Sequence, residues 1–179
     1  ALERDHWQRQ LNYVIADAEV AVRTNPRDAE KQNFLGARYV EAGRAKEAIP
    51  YLEEAIKIRN DYADAHSNLG SALQAEGRLA DAVEHFRLAV SLNPQLADAR
   101  NNLGVALAMQ GELEEAIQEL RLAVELDPDN SGNHANLGAA LRLQGNSDEA
   151  ILYLRKALEI DPGNEGAQNL LNQLEQFRE

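Results

Sequence analysis

Apolar positions along this chain fall three and four residues apart, and the whole pattern recurs every 34 residues. The short spacing puts them on one face of a helix, and the long one marks stacked copies of a single supersecondary unit. The recurrence is sharpest at Asn68-Leu69-Gly70, Asn102-Leu103-Gly104 and Asn136-Leu137-Gly138, with Phe34-Leu35-Gly36 one step earlier. In such an array each unit touches only its neighbours, so no central core is required.

The period predicts four units, 29–62, 63–96, 97–130 and 131–164. In the first, a helix from Ala29 to Ala42 breaks at Gly43, and a second runs from Ala45 to Ile58. Later breaks fall at Gly77, Gly111 and Gly145, where a left-handed glycine can close a helix cap. Exits fall at Asn93-Pro94, Asp127-Pro128 and Asp161-Pro162, with Asn60-Asp61 serving the first unit. Gly36, Gly70, Gly104 and Gly138 sit mid-helix instead, at a cost of about 1 kcal/mol each relative to alanine. That cost predicts a close crossing, with Ala48, Ala82, Ala116 and Ala150 as the small partners. Leu52, Phe86, Leu120 and Leu154 fill the space around it.

Residues 1–28 form a leading half-unit. Trp7, Leu11, Val14, Ala18 and Ala21 make one stripe on a helix of roughly 3–24, in register with the second helices of the units. Residues 165–179 read as a single C-terminal capping helix. Ala167, Leu170, Leu171, Leu174 and Phe177 point inward, and Asn172 stands where the glycine would be.

Composition narrows the fold to all-α. Aromatics are 5% of the chain, and alanine and leucine carry the apolar load, which favours helices over strands. The net charge of −12 is concentrated in residues 97–130, with eight acidic residues against two basic. Such a chain repels phosphate backbones and anionic lipid, so nucleic acid and membrane surfaces are excluded as expected partners. There is no cysteine, which removes disulfides and thiolate metal sites and leaves the compartment open. No apolar run reaches membrane-spanning length. The start at Ala1, without methionine, reads as a fragment or a processed chain that could continue into a catalytic or membrane domain.

A unit with Leu-Gly near its start, Gly at its turn, Ala and a Leu or aromatic on its second helix, and Pro at its exit resembles the tetratricopeptide repeat. The resemblance covers 29–164, and it implies a right-handed superhelix of four such repeats. Tryptophan, common at the fourth position of that repeat, is replaced by Gln32, His66, Arg100 and His134. The runs Asp64–Gly70 and Asp98–Gly104 resemble the repeat arm of O-linked N-acetylglucosamine transferase and repeats in bacterial scaffold proteins. By that resemblance Asn68, Asn102 and Asn136 line the inner face and hold the backbone of an extended peptide.

An asparagine amide offers a donor and an acceptor, so it can pair with a peptide bond without reading its side chain. The alternative is that these asparagines cap, face solvent or bond within their own repeat. Asn33, Asp64, Ser67, Ser71, Asp98, Asn101 and Arg142 are expected on the same concave face, with Glu30, Ala37 and Glu41. Its mostly acidic charge favours a neutral or basic protein segment. The basic clamps of chaperone-binding relatives are absent, since Asn33, Ala37, Ser67, Ser71, Asn101, Val105, Ala135 and Ala139 fill those positions.

Glu112, Glu114, Glu115 and Glu119 form an acidic cluster that suits a helix N-terminus. His66 and His134 read as packing residues at the former tryptophan position, and Trp7 as a core residue of the first helix. No nucleophile-base pair, phosphate loop or metal-ligand spacing can be assembled, so neither an enzyme nor a cofactor is expected. The expected function is a protein-binding scaffold. A substrate-selecting arm of a larger enzyme, or a self-assembly unit stacking through its end helices, are the other readings.

Overall fold

The computed structural model describes residues 2–176, with side chains from His6 onward. Phe177 lies outside the described residues. The fold is all-α and built of paired helices, with one extra helix before the first pair and one after the last. Among the described residues there is no strand. The helices are α1 (Leu2–Thr24), α2 (Ala29–Glu41), α3 (Ala45–Ile58), α4 (Ala63–Ala75), α5 (Leu79–Leu92), α6 (Ala97–Gln110), α7 (Leu113–Leu126), α8 (Ser131–Gln144), α9 (Ser147–Ile160) and α10 (Glu165–Gln176). They form two compact bodies, one up to Asn93 and one from Pro94.

In the first body α2 pairs with α3 and α4 with α5, while α1 packs on α2 and α3 on α4. The turns are closed by Gly43 and Gly77 at φ +72° and +77°, a conformation that strains any residue with a Cβ. Asp28 caps α2, its carboxylate accepting from the Glu30 and Lys31 amides at 3.0 and 3.2 Å. Those backbone donors, Lys31 first, hold its carboxyl below the ordinary value.

The mid-helix glycines are buried as expected, but the residue that needs the space is different. A Cβ on Gly36 would lie 2.5 Å from Leu52 Cγ, and one on Gly70 would lie 2.7 Å from the Phe86 ring. Leucine and phenylalanine therefore fill the crossing itself, and Ala48 and Ala82 flank it.

In α1 the buried stripe is Leu11, Ile15, Ala18 and Val22. The expected stripe is thus rotated. Trp7 is 45% exposed and Val14 39%, so Trp7 is not a core residue. The physical reason is that α2 covers only one side of α1 and no other described helix covers the next.

In the second body α6 pairs with α7 and α8 with α9, and α10 packs on α9 and α8. One core cluster joins Leu120, Leu137, Leu141 and Leu154 to Ala167, Leu171 and Leu174 of α10. The outer positions of α10 are polar, with Gln168 Nε2 donating to Asn172 Oδ1 at 2.8 Å.

Candidate functional site

The first helices of the pairs carry the expected binding residues, and two of the rungs make the same bond. Asn68 Nδ2 donates to Asn33 Oδ1 at 2.9 Å, and Asn136 Nδ2 donates to Asn101 Oδ1 at 2.9 Å. Each bond joins one first helix to the first helix before it. The bonding within a single repeat weighed above is therefore not what Asn68 and Asn136 do. Among the described residues nothing donates to the Oδ1 of Asn68 or of Asn136. Both side chains are half-buried, as is Asn102.

The other expected residues divide by exposure. Asn33 and Ser67 are buried. Asn33 also donates to the Tyr62 hydroxyl at 3.2 Å, and the Ser71 hydroxyl donates to the Ser67 carbonyl at 3.1 Å. Asn33 thereby links Asn68 to Tyr62. Asp64 and Asp98 are exposed, and Asn101 is half-buried beneath Asn136. Arg142 is half-buried, with its Nε enclosed and unbonded.

A trough of about 850 Å³ opens in the first body. Val14, Asp17, Ala18 and Ala21 of α1 form one wall, and Asn33, Phe34, Ala37 and Arg38 of α2 form another. Asp64 and Asn68 of α4 close the far side. Phe34 is 48% exposed, with the Arg38 guanidinium 5.3 Å above its ring. The cations around the trough are engaged: Lys31 with Asp28 at 3.4 Å, Arg38 with Glu41 at 2.7 Å and Arg59 with Glu30 at 3.6 Å. Among the described residues Asp17 and Asp64 have no ion-pair partner.

The residues at the former tryptophan position are not simple packing. Gln32 Nε2 donates to Pro26 O at 2.8 Å, His66 Nε2 to Asn60 O at 3.1 Å, Arg100 Nε to Pro94 O at 2.8 Å and His134 Nε2 to Pro128 O at 2.8 Å. Three kinds of side chain thus satisfy the carbonyl six residues back in the preceding turn. Three of them also meet the residue 19 positions ahead: His66 stacks on His85, His134 stacks on Tyr153, and Arg100 pairs with Glu119 at 2.6 Å. Glu119 is therefore drawn out of the acidic cluster. The signal in the sequence was the shared N–H donor at a fixed offset, hidden by the change of residue type.

Among the described residues no group of three or more His, Asp or Glu could hold a metal ion. None of the described helices is long and apolar enough to cross a membrane.

A search of curated proteins returned no match. Solved structures similar to this chain include MamA, 26% identical, covering 89% of this chain and 93% of its own with a TM-score of 0.72. They also include YrrB, described as a tetratricopeptide repeat protein with an unusual peptide-binding site. It is 27% identical over 90% of this chain and 83% of its own, with a TM-score of 0.70. PilF of Pseudomonas aeruginosa is 28% identical over 86% of this chain and 71% of its own, with a TM-score of 0.78. Tetratricopeptide repeat models match residues 36–77, 68–131 and 134–164. With the paired helices, the glycine crossings and these matches together, the chain belongs to the tetratricopeptide repeat family.

Proposed function

We propose that this protein is a non-enzymatic scaffold that grips an extended, neutral or basic protein segment along its first helices. Asn68, Asn102 and Asn136 are the rungs, and Asp64, Asp98 and Arg142 flank them. The observation that carries the reading is the paired geometry of Asn68 on Asn33 and Asn136 on Asn101, each at 2.9 Å. Spending one amide hydrogen on the neighbouring helix fixes the plane of the rung and turns its Oδ1 away from that bond. A fixed acceptor of this kind suits the N–H groups of a peptide backbone. YrrB, similar in fold and described as having a peptide-binding site, lends support. The net charge of −12 steers basic segments inward.

The test is selection from a displayed library of random short peptides, followed by titration of the best binder. The triple variant Asn68→Ala, Asn102→Ala, Asn136→Ala should lose about 100-fold in affinity, on the order of 1 kcal/mol per rung, with helix content unchanged. Binding by the variant at parental strength overturns the reading. A second reading, a substrate-selecting arm of a glycosyltransferase, rests on the run Asp64–Gly70. A catalytic domain in the same parent chain would decide for it.

A further inference from the structure

The trough beside α1 has the form of a seat for a helix. α1 ends at Thr24, 34 residues before α3 ends at Ile58, so Val14, Ala18 and Ala21 stand in register with Ala48, Leu52 and Ala55. Those three residues of α3 are fully covered, on the face that pairs with α2. Their counterparts in α1 look into the trough. α1 begins at Leu2, nine residues before Leu11, the counterpart of Ala45. Trp7 lies seven residues before Val14, on the same face two turns away, and extends the wall.

We propose that a partner protein lays a helix in this trough. It would be amphipathic, about as long as α2, and apolar on the face it lays against Val14, Ala21 and Phe34. It would carry lysine or arginine to meet Asp17 and Asp64. Three observations specify it. The wall is the face that, in the next pair, packs on a helix in the same register. Of the four carboxylates lining the trough, Asp17 and Asp64 lack ion-pair partners among the described residues, so a basic flank completes the charge. And Ala18 replaces the leucine that, as Leu52, would lie 2.5 Å from a Cβ on Gly36. With that bulk gone, the visiting helix needs no glycine and has room for a large apolar residue over Ala18. A second copy of the chain suits the seat poorly, since it carries −12 and its own α10 turns Gln168, Asn172 and Glu175 outward.

The inference does not depend on the asparagine rungs, and its test separates the two. A displayed library of helical segments with one randomised face is selected against the full chain, and the fluorescence of Trp7, the one tryptophan, reports docking. Enriched helices should carry a bulky apolar residue at the centre of the face and Lys or Arg at its edge. Val14→Asp should weaken them by about tenfold or more, whereas Asn102→Ala with Asn136→Ala, neither of which lines the trough, should retain them. Asp17→Lys with Asp64→Lys should switch the enriched charge to Asp and Glu. The proposal is overturned if no helix enriches, or if Val14→Asp leaves binding unchanged. It is also overturned if sedimentation shows the parent dimerising through α1 and Val14→Asp abolishing the dimer.

Discussion

Among the described residues α1 and α10 each lack one helical neighbour, and they treat the exposed side in opposite ways. α10 buries Ala167, Leu171 and Leu174 and turns Gln168, Asn172 and Glu175 to solvent, where Glu175 pairs with Arg155 at 2.8 Å. α1 buries Leu11, Ile15, Ala18 and Val22 yet keeps Trp7 and Val14 on the uncovered side. A polar side turned to solvent asks for no further helix. An apolar side left in place at α1 is the mark of a surface meant to be covered.

The contrast can be broken most severely by placing one charge at two positions in register. Ala48→Asp puts a carboxylate where nothing is exposed, against α2, and should cost more than about 4 kcal/mol. Val14→Asp, at the matching place on α1, should change stability by less than about 1 kcal/mol because water reaches it. Urea unfolding of the two variants measures the gap. Equal losses would mean that α1 is covered in the free protein, and the seat would vanish with that result.

A smaller effect sharpens the other half of the comparison. Asn172 stands 34 residues after Gly138, so leucine at both positions probes a covered and an uncovered crossing. At Gly138 a Cβ would meet Leu154 Cγ at 2.8 Å and the Ala150 carbonyl at 3.2 Å. Gly138→Leu should therefore destabilise by about 2–3 kcal/mol through overpacking. Asn172→Leu should lie within about 0.5 kcal/mol of the parent, its side chain entering solvent. Thermal melts of both variants decide it, and a destabilised Asn172→Leu would show that α10 is packed on its outer side.

The residues explain why some of this was legible in advance. The helix pairs, their glycine caps and the last helix follow from a period and from φ, which one residue type reveals. The buried side of α1 did not, because Val14 and Ile15 are equally apolar, and only the packing of α2 chooses between them. Of the rungs, Asn68 and Asn136 stood out by repetition, but Asn33 and Ser67 were expected at the surface and are buried. Hydropathy does not register a polar group whose partner lies 35 residues away. The turn locks at Gln32, His66, Arg100 and His134 escaped notice for the same reason: one geometry is served by three chemistries.

The smallest expected effect concerns one of those locks. The Asn60 carbonyl only accepts, so His66 Nε2 carries a hydrogen. The neutral ring then accepts from His85 at its Nδ1, across 3.0 Å. Burial, and after it His66, lowers the pKa of His85 from 6.5, while Glu84, Asp81 and Glu53 oppose the shift. The folded chain thus binds this proton less readily than the unfolded chain. The contribution is complete above the unfolded value of 6.5 and is lost as pH falls below it toward the folded value. Urea midpoints at about pH 7.5 and about pH 5.5 should therefore drop further in the parent than in His85→Gln, which removes the titrating ring. Because His85 is only half-buried, the difference should be smaller than either substitution above. Parallel losses in both proteins would mean that acid acts elsewhere, and that the paired rings fix the turn without sensing protons.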